Sequence, residues 1–155
     1  MKVLTKKSKY AIRALLALAK RHGQDPVLIA ELAAQERIPK KFLELILLEL
    51  KNNGILRSKK GKGGGYLLAR DPEEISVGEV IQALDGPFAP LPCVSRTGHR
   101  TCEECEDEAT CGLRAVMNGV QDASAAILDN TSVVDLLRRT AALEQEKNKV
   151  LVYAI

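Results

Sequence analysis

The stretch Lys59-Lys60-Gly61-Lys62-Gly63-Gly64-Gly65 limits what this chain can become more than any other. Glycine is the residue a tight turn calls for, and it is costly inside a helix. The run lies between Ile55-Leu56-Arg57-Ser58 and Tyr66-Leu67-Leu68-Ala69, two short segments that read as strands. The whole is a β-hairpin with a basic tip. A phosphate-binding P-loop does not fit, because G-x-x-x-x-G-K-[ST] is absent and no helix follows the glycines.

What precedes the hairpin is helical. From Lys6 to His22 the apolar residues Ala11, Ala14, Leu15 and Leu18 recur on one side, with Lys6, Lys9, Arg13 and Lys20 opposite. Gly23 and Asp25-Pro26 stop that helix, and Val27 to Ile29 reads as a short strand. A short helix over Ile29–Gln35 follows, then a turn at Glu36-Arg37-Ile38. Pro39 is expected at the first position of the next helix, which runs to about Asn52. Its Leu43, Ile46, Leu47 and Leu50 repeat at core spacing, while Lys40, Glu44 and Lys51 line the outside with Lys41 beside them. Helix, tight turn, helix, hairpin is the order of a winged helix-turn-helix, in which the hairpin is the wing.

Charge separates the same way. Residues 1–70 hold 16 Lys/Arg against 5 Asp/Glu, and residues 71–155 hold 7 against 15. The first part is suited to a polyanion and the second is not. Within the first part, Lys40, Lys41 and Glu44 are candidate readers of base edges. Lys51, Arg57, Lys59, Lys60 and Lys62 are candidate phosphate contacts. Aromatic residues are only 3% of the chain, so Ala, Leu, Ile and Val must form the interior, which suits closely packed helices. No apolar run is long enough to span a membrane, and the basic start Met1–Lys9 leads into an amphipathic helix rather than a secretion signal. The expected location is cytoplasmic, where cysteines serve as ligands or redox thiols more often than as disulfides.

Beyond Asp71-Pro72 the sequence predicts a capping box, Ser76-Val77-Gly78-Glu79, opening a helix through Leu84. Pro87, Pro90 and Pro92 then keep the chain extended. All four cysteines follow, Cys93, Cys102, Cys105 and Cys111, in the spacing C-x8-C-x2-C-x5-C and in a stretch with little apolar sequence. Thiols collected in a loop suit iron or zinc, and Cys102-Glu-Glu-Cys105 forms a two-thiolate clip. The acids Glu103, Glu104, Glu106, Asp107 and Glu108 disfavour thiolates. From Gly112 a long helix places Leu113, Val116, Val120, Ala123 and Ile127 three and four apart, a narrow stripe suited to a second copy of itself. Packing within the monomer is the alternative. A last helix is expected from Ser132 to about Glu146, with an unstructured tail.

Several of these segments together resemble the IscR/NsrR/CymR-type winged-helix regulators, the Rrf-two family, over about residues 1–140. They are Lys9-Tyr10-Ala11, Ile29-Ala30-Glu31, Pro39-x-x-Phe42-Leu43-Glu44, Leu50-x-x-x-Gly54-Ile55-Leu56, Gly61-Lys62-Gly63-Gly64-Gly65-Tyr66-Leu67-Leu68-Ala69 and Val77-Gly78-Glu79-Val80-Ile81. The resemblance implies a homodimeric transcription regulator, not an enzyme, that binds a pseudo-palindromic DNA operator. Its fold would be mainly α with a small β-hairpin wing, followed by a long dimerisation helix. Lys9, Tyr10, Phe42, Ser58, Gly63, Gly64 and Tyr66 join the DNA-facing set on this basis. The units expected are a DNA-binding domain over 1–85, a sensor loop over 86–111, dimer and C-terminal helices over 112–147, and a tail over 148–155.

The resemblance also implies an iron–sulfur cluster in the cysteine loop, [2Fe–2S] in preference to [4Fe–4S]. Cluster-binding relatives carry three cysteines at C-x5-C-x5-C. Here Cys105 and Cys111 match the last two, while Cys93 stands farther off and Cys102 is added. IscR-type proteins complete the site with a histidine three residues after the last cysteine, where this chain has Arg114. NsrR-type proteins use an N-terminal aspartate of the partner subunit, where this chain has Lys7-Ser8-Lys9. Cys102 is the first candidate to fill the fourth place and His99 the second. Structural zinc, a metal-free thiol switch and control by a partner protein are the alternatives. A thiol-redox enzyme would need a thioredoxin-like βαβ pattern, which the sequence lacks.

Overall fold

The structure is a computed structural model that describes residues 4–153. Helix α1 (Lys6–Lys20) begins where the Thr5 hydroxyl accepts the Ser8 N–H at 3.3 Å, a side-chain cap on an otherwise unpaired donor. It ends at Lys20 rather than His22, because Arg21 to Gln24 form a turn around Gly23 at φ 80°. Helices α2 (Ile29–Glu36) and α3 (Lys40–Asn52) are joined by Arg37, which sits in the left-handed region at φ 53°, ψ 47°. That conformation lets the Ile38 N–H reach the Ala33 carbonyl at 3.0 Å and turns the chain sharply. Pro39 caps α3 instead of opening it: at ψ 125° its carbonyl still accepts the Leu43 N–H at 2.9 Å.

The inner side of α3 carries Leu43, Ile46, Leu47 and Leu50, all without solvent exposure. Each is worth about 1.5–3 kcal/mol of burial, and Leu47→Ala would cost about 2–5 kcal/mol. They join Ala14, Leu15 and Leu18 of α1, Leu32 of α2 and Ile55 in one core.

The hairpin is formed by β1 (Leu56–Lys59) and β2 (Gly65–Leu68), antiparallel with Leu56 opposite Leu68 and Lys59 opposite Gly65. The strand expected at Val27–Ile29 contracts to a single bridge, Val27 to Tyr66, with N–H···O distances of 2.9 and 2.8 Å. That bridge explains one glycine, and the hairpin tip explains another. A side chain on Gly65 would collide with the Val27 carbonyl, and one on Gly64 would meet the carbonyls of Lys59 and Gly61. Gly65 is required by the approach of Val27 and Gly64 by the close packing of the hairpin tip.

A one-turn 3-10 helix at Pro72–Glu74 leads to α4 (Val77–Asp85). Only half of the capping box forms. The Ser76 hydroxyl accepts the Glu79 N–H at 3.1 Å, while the Glu79 carboxylate is held by Arg70. After a second short turn at Pro92–Val94 and the cysteine loop come α5 (Gly112–Asp129) and α6 (Val133–Tyr153). Ser132 and Asp135 cap α6 reciprocally, each accepting the other's N–H, at 3.1 and 2.9 Å. The expected tail is helical through Tyr153, and Ala154 and Ile155 lie outside the described residues.

On α5 the stripe is open. Leu113, Val116, Val120 and Ile127 are 42–63% exposed, so packing within the monomer does not account for it. No helix among the described residues is long and apolar enough to cross a membrane.

Candidate DNA interface and cysteine loop

With its leucine and isoleucine arc buried, α3 turns Lys41, Leu45, Leu48 and Asn52 outward, all exposed. At 100° per residue these four lie within about 60° of each other and directly opposite the core. Lys40, Glu44 and Lys51 are also exposed, on one shoulder of that face. The sequence reading centred the face on the charged residues; burial centres it on Lys41 and two leucines. Glu49 is tied to Lys7 at 2.6 Å.

Tyr10 and Phe42 are half-buried and pack edge to face, ring centroids 5.7 Å apart, with the Arg13 guanidinium 5.7 Å over the Tyr10 ring. This stack joins α1 to the start of α3. Arg13 also donates to the Glu36 carbonyl, which occupies it at the end of α2. Lys9 stands exposed on α1. Along the wing Arg57, Lys59, Lys60, Lys62 and Gly63 are exposed, Gly64 is buried, and Ser58 pairs across the ladder with the half-buried Tyr66. Among the described residues, Lys9, Lys40, Lys41, Lys51, Arg57, Lys59, Lys60 and Lys62 take part in no salt bridge. Their charge is available to phosphates.

The cysteine loop gathers its thiols in pairs. Cys93 is buried, and its Sγ lies 3.7 Å from that of Cys102. The Cys105 N–H donates to the Cys102 carbonyl at 3.1 Å, which tightens the C-x-x-C turn. Cys111 is the N-cap of α5, its sulfur accepting the Arg114 N–H at 3.4 Å. Burial, then the Cys102 sulfur and the Glu108 charge, push the Cys93 thiol up from its ordinary value. Burial, then Cys111, Glu108 and Cys102, do the same to Cys105. Burial is thus the main force against the thiolate form at both cysteines, and of the five acids Glu108 is the one that adds to it.

Glu108 and Arg114 organise this loop, and neither role is written in the spacing of the motif. The Glu108 carboxylate takes His99 Nε2 at 3.0 Å and lies 3.7 Å from the Arg114 guanidinium, and its Oε1 is buried without a partner. A hydrogen bond from Thr101, with His99 and Arg114 adding to it, holds its carboxyl below the usual range. Arg114 also reaches the carbonyls of Cys93 and Glu108, each at 3.5 Å. His99, the second candidate for a fourth ligand, is therefore engaged by Glu108, whereas Cys102 stands beside Cys93.

These donors fit a thiolate-bound centre in chemistry, and one pair fits it in spacing. Two thiolates on a tetrahedral ion, with bonds of about 2.3 Å, lie roughly 3.7 Å apart. Among the described residues, no three Cys, His, Asp or Glu side chains converge on one point. Closing a four-thiolate site requires Cys105 and Cys111 to approach the first pair.

Comparison with known proteins agrees with this architecture. The sequence profile of Rrf2, an iron-dependent transcriptional regulator, matches residues 4–139. The putative HTH-type transcriptional regulator rrf2-like of Rhodobacter capsulatus is 40% identical over 138 residues, covering 87% of this chain and 92% of its own. The HTH-type transcriptional regulator CymR of Bacillus subtilis is 32% identical over 146 residues, 94% of this chain and 96% of its own. Its solved structure, described as that of the global cysteine regulator of that organism, superposes with a TM-score of 0.72 at 29% identity, over 88% of this chain and 96% of its own. The HTH-type transcriptional regulator IscR of Cronobacter sakazakii is 31% identical over 141 residues, 91% of this chain and 83% of its own. All are named as regulators, none as an enzyme.

Proposed function

We propose, starting from the fact that this chain belongs to the Rrf2 family of DNA-binding transcriptional regulators, that it is a homodimer whose grip on a pseudo-palindromic operator is set by its cysteine loop. The observation that carries this reading is the place of Cys111. It is at once a member of the thiol set and the cap of α5, the helix whose apolar stripe lies open. A change at the thiols acts directly on the start of the dimer helix. The division of labour is a DNA-binding unit over 1–85, a sensor loop over 86–111 and a dimerisation unit from 112 onward, working in the bacterial cytoplasm.

On DNA, α3 enters the major groove and the wing follows the backbone into the minor groove. Lys40, Lys41 and Glu44 meet base edges, and Lys51, Arg57, Lys59, Lys60 and Lys62 meet phosphates. Cys93, Cys102, Cys105 and Cys111 are the residues that would hold a [2Fe–2S] cluster, which supplies a centre sensitive to oxidants and to iron supply. Arg114 and Glu108 hold the loop around the thiols, and the Arg114 guanidinium offsets part of the negative charge there. A coupling of about 1–3 kcal/mol, or about 5- to 150-fold in DNA affinity, suffices for a switch.

The contact between Cys93 and Cys102 supports a second reading, control by reversible thiol oxidation without metal or with structural zinc. Anaerobic purification with an absorption spectrum and iron, sulfide and zinc assays separates the two. Brown protein containing iron and sulfide, lost in Cys105→Ala, is expected of the cluster. Colourless protein after anaerobic reconstitution refutes the cluster and leaves thiol oxidation, zinc or a partner protein as the source of control.

A further inference from the structure

The outward face of α3 carries an apolar pair that the fold does not use. Leu45 is 60% exposed and Leu48 48% exposed, side by side at i and i+3, between Lys41 and Asn52. A single exposed leucine needs no explanation. Two at the centre of a helix face do, when every other apolar residue of that helix packs inward or, like Phe42, against a neighbouring ring.

The surroundings indicate what covers them. Lys40, Lys41 and Lys51 border the pair and form no salt bridge among the described residues. The exposed wing lysines Lys59, Lys60 and Lys62 add to the same basic half of the chain. An apolar strip inside a basic face is complementary to a DNA groove. In the major groove one base presents a hydrocarbon group, the C5 methyl of thymine. Leucine has no hydrogen bond to offer a base, so it discriminates by contact with that methyl. The amino group of cytosine, placed under a leucine, would instead lose its water with no acceptor in return.

We propose that Leu45 and Leu48 are specificity-determining residues that read thymine methyls in each half-site. This rests on the DNA-binding reading and goes beyond it. Three residues of helix rise about 4.5 Å, slightly more than the roughly 3.4 Å between base pairs. The pair therefore covers thymines at adjacent steps, on either strand. Glu44, on the shoulder, keeps its separate role as a hydrogen-bond acceptor for cytosine.

The test begins with selection of duplexes from a randomised pool by the full-length protein, followed by affinity measurements on the enriched site. Within the enriched half-site, thymines are then replaced one at a time by deoxyuridine, which removes only the methyl. Loss of one buried methyl should weaken wild-type binding about fourfold. Leu45→Ala/Leu48→Ala, at exposed positions in a good helix former, should bind the thymine site more weakly and show no further loss with deoxyuridine. The idea is overturned if the enriched half-site lacks thymine, or if deoxyuridine leaves wild-type affinity unchanged. It is overturned equally if the double variant keeps the full deoxyuridine penalty. In those cases sequence-specific binding remains and the regulator reading stands. A wild-type protein that retains no duplex at all would instead refute the DNA-binding reading itself.

Discussion

The open stripe on α5 predicts its own cure, pairing with a second copy, and the strength of that pairing can be worked from exposure. Val116 and Ile127 are each 63% exposed in the single chain. Truncating them to alanine removes about two and three methylene equivalents, each worth about 0.8 kcal/mol when fully buried. Scaled by the exposure still to be lost, the double truncation removes roughly 2.5 kcal/mol per chain and roughly 5 kcal/mol per symmetric pair. That weakens the dimer by more than about a thousandfold. The monomer should be indifferent, since neither side chain is buried in it and alanine favours helix. Light scattering and sedimentation of Val116→Ala/Ile127→Ala across the micromolar range should show the mass of one chain where the parent shows two, with unchanged far-ultraviolet circular dichroism. A variant that stays dimeric at low micromolar concentration would refute α5 as the interface. A variant that loses helicity would show that the stripe packs within the chain after all.

Arg37→Gly should raise the melting temperature by about 1–4 °C, because glycine adopts the left-handed turn between α2 and α3 without the cost a side chain incurs; a lower melting temperature refutes the claim that this turn is strained. Gly65→Ala should unseat β2 from Val27 and weaken DNA binding, with loss of amide exchange protection at Val27 and Tyr66 as the structural readout. Ser132→Ala removes the α6 cap and should cost about 1 kcal/mol in urea unfolding at neutral pH. The Ser132 N–H and hydroxyl hold the Asp135 carboxyl below its ordinary value of 3.8, so its contribution to stability is present above that pH and disappears as pH falls through the lowered value. Asp135→Asn should therefore narrow the gap to the parent in acid, and a gap independent of pH would contradict the capping role.

The helices were legible wherever one apolar arc met one polar arc, as in α1 and α3, and the hairpin wherever glycine punctuated two strands. Legibility failed for three physical reasons. Leucine is the commonest residue of α3, and only burial separates Leu45 and Leu48, which face away, from Leu43 and Leu47. Contacts in a loop have no period, so Glu108 appeared as one of five acids and Arg114 as a missing histidine. Only the folded loop shows that Arg114 grips the carbonyls of Cys93 and Glu108. The end of α6 was missed because its last turns lack a buried stripe; Leu143, Val150 and Leu151 are all more than half exposed.

The two ends of α5 differ in a way that bears on how a thiol signal could reach DNA. At its C-terminal end the helix is fixed to α4 and the segment before it. Gly78 of α4 lies directly against Asp129, and the Val77 N–H and Val133 N–H bond the carbonyls of Thr131 and Ile75 at 2.8 and 2.9 Å. From there α4 is tied to α1, where Thr5 donates twice to Asp85, at 2.6 and 3.2 Å. At its N-terminal end α5 is seated on the cysteine loop, through Cys111 and Arg114, with Arg96 of the loop pairing with Asp122 farther along the helix at 2.8 Å. A helix anchored at one end and adjustable at the other is a lever. Its 18 residues span about 27 Å, so a tilt of a few degrees displaces the free end by about 2 Å. In a dimer joined along α5, that displacement sets the separation of two α3 helices that must match half-sites about 34 Å apart. Under the proposed control, the thiols need only alter how Cys111 and Arg114 seat the first turn of α5 for operator affinity to follow.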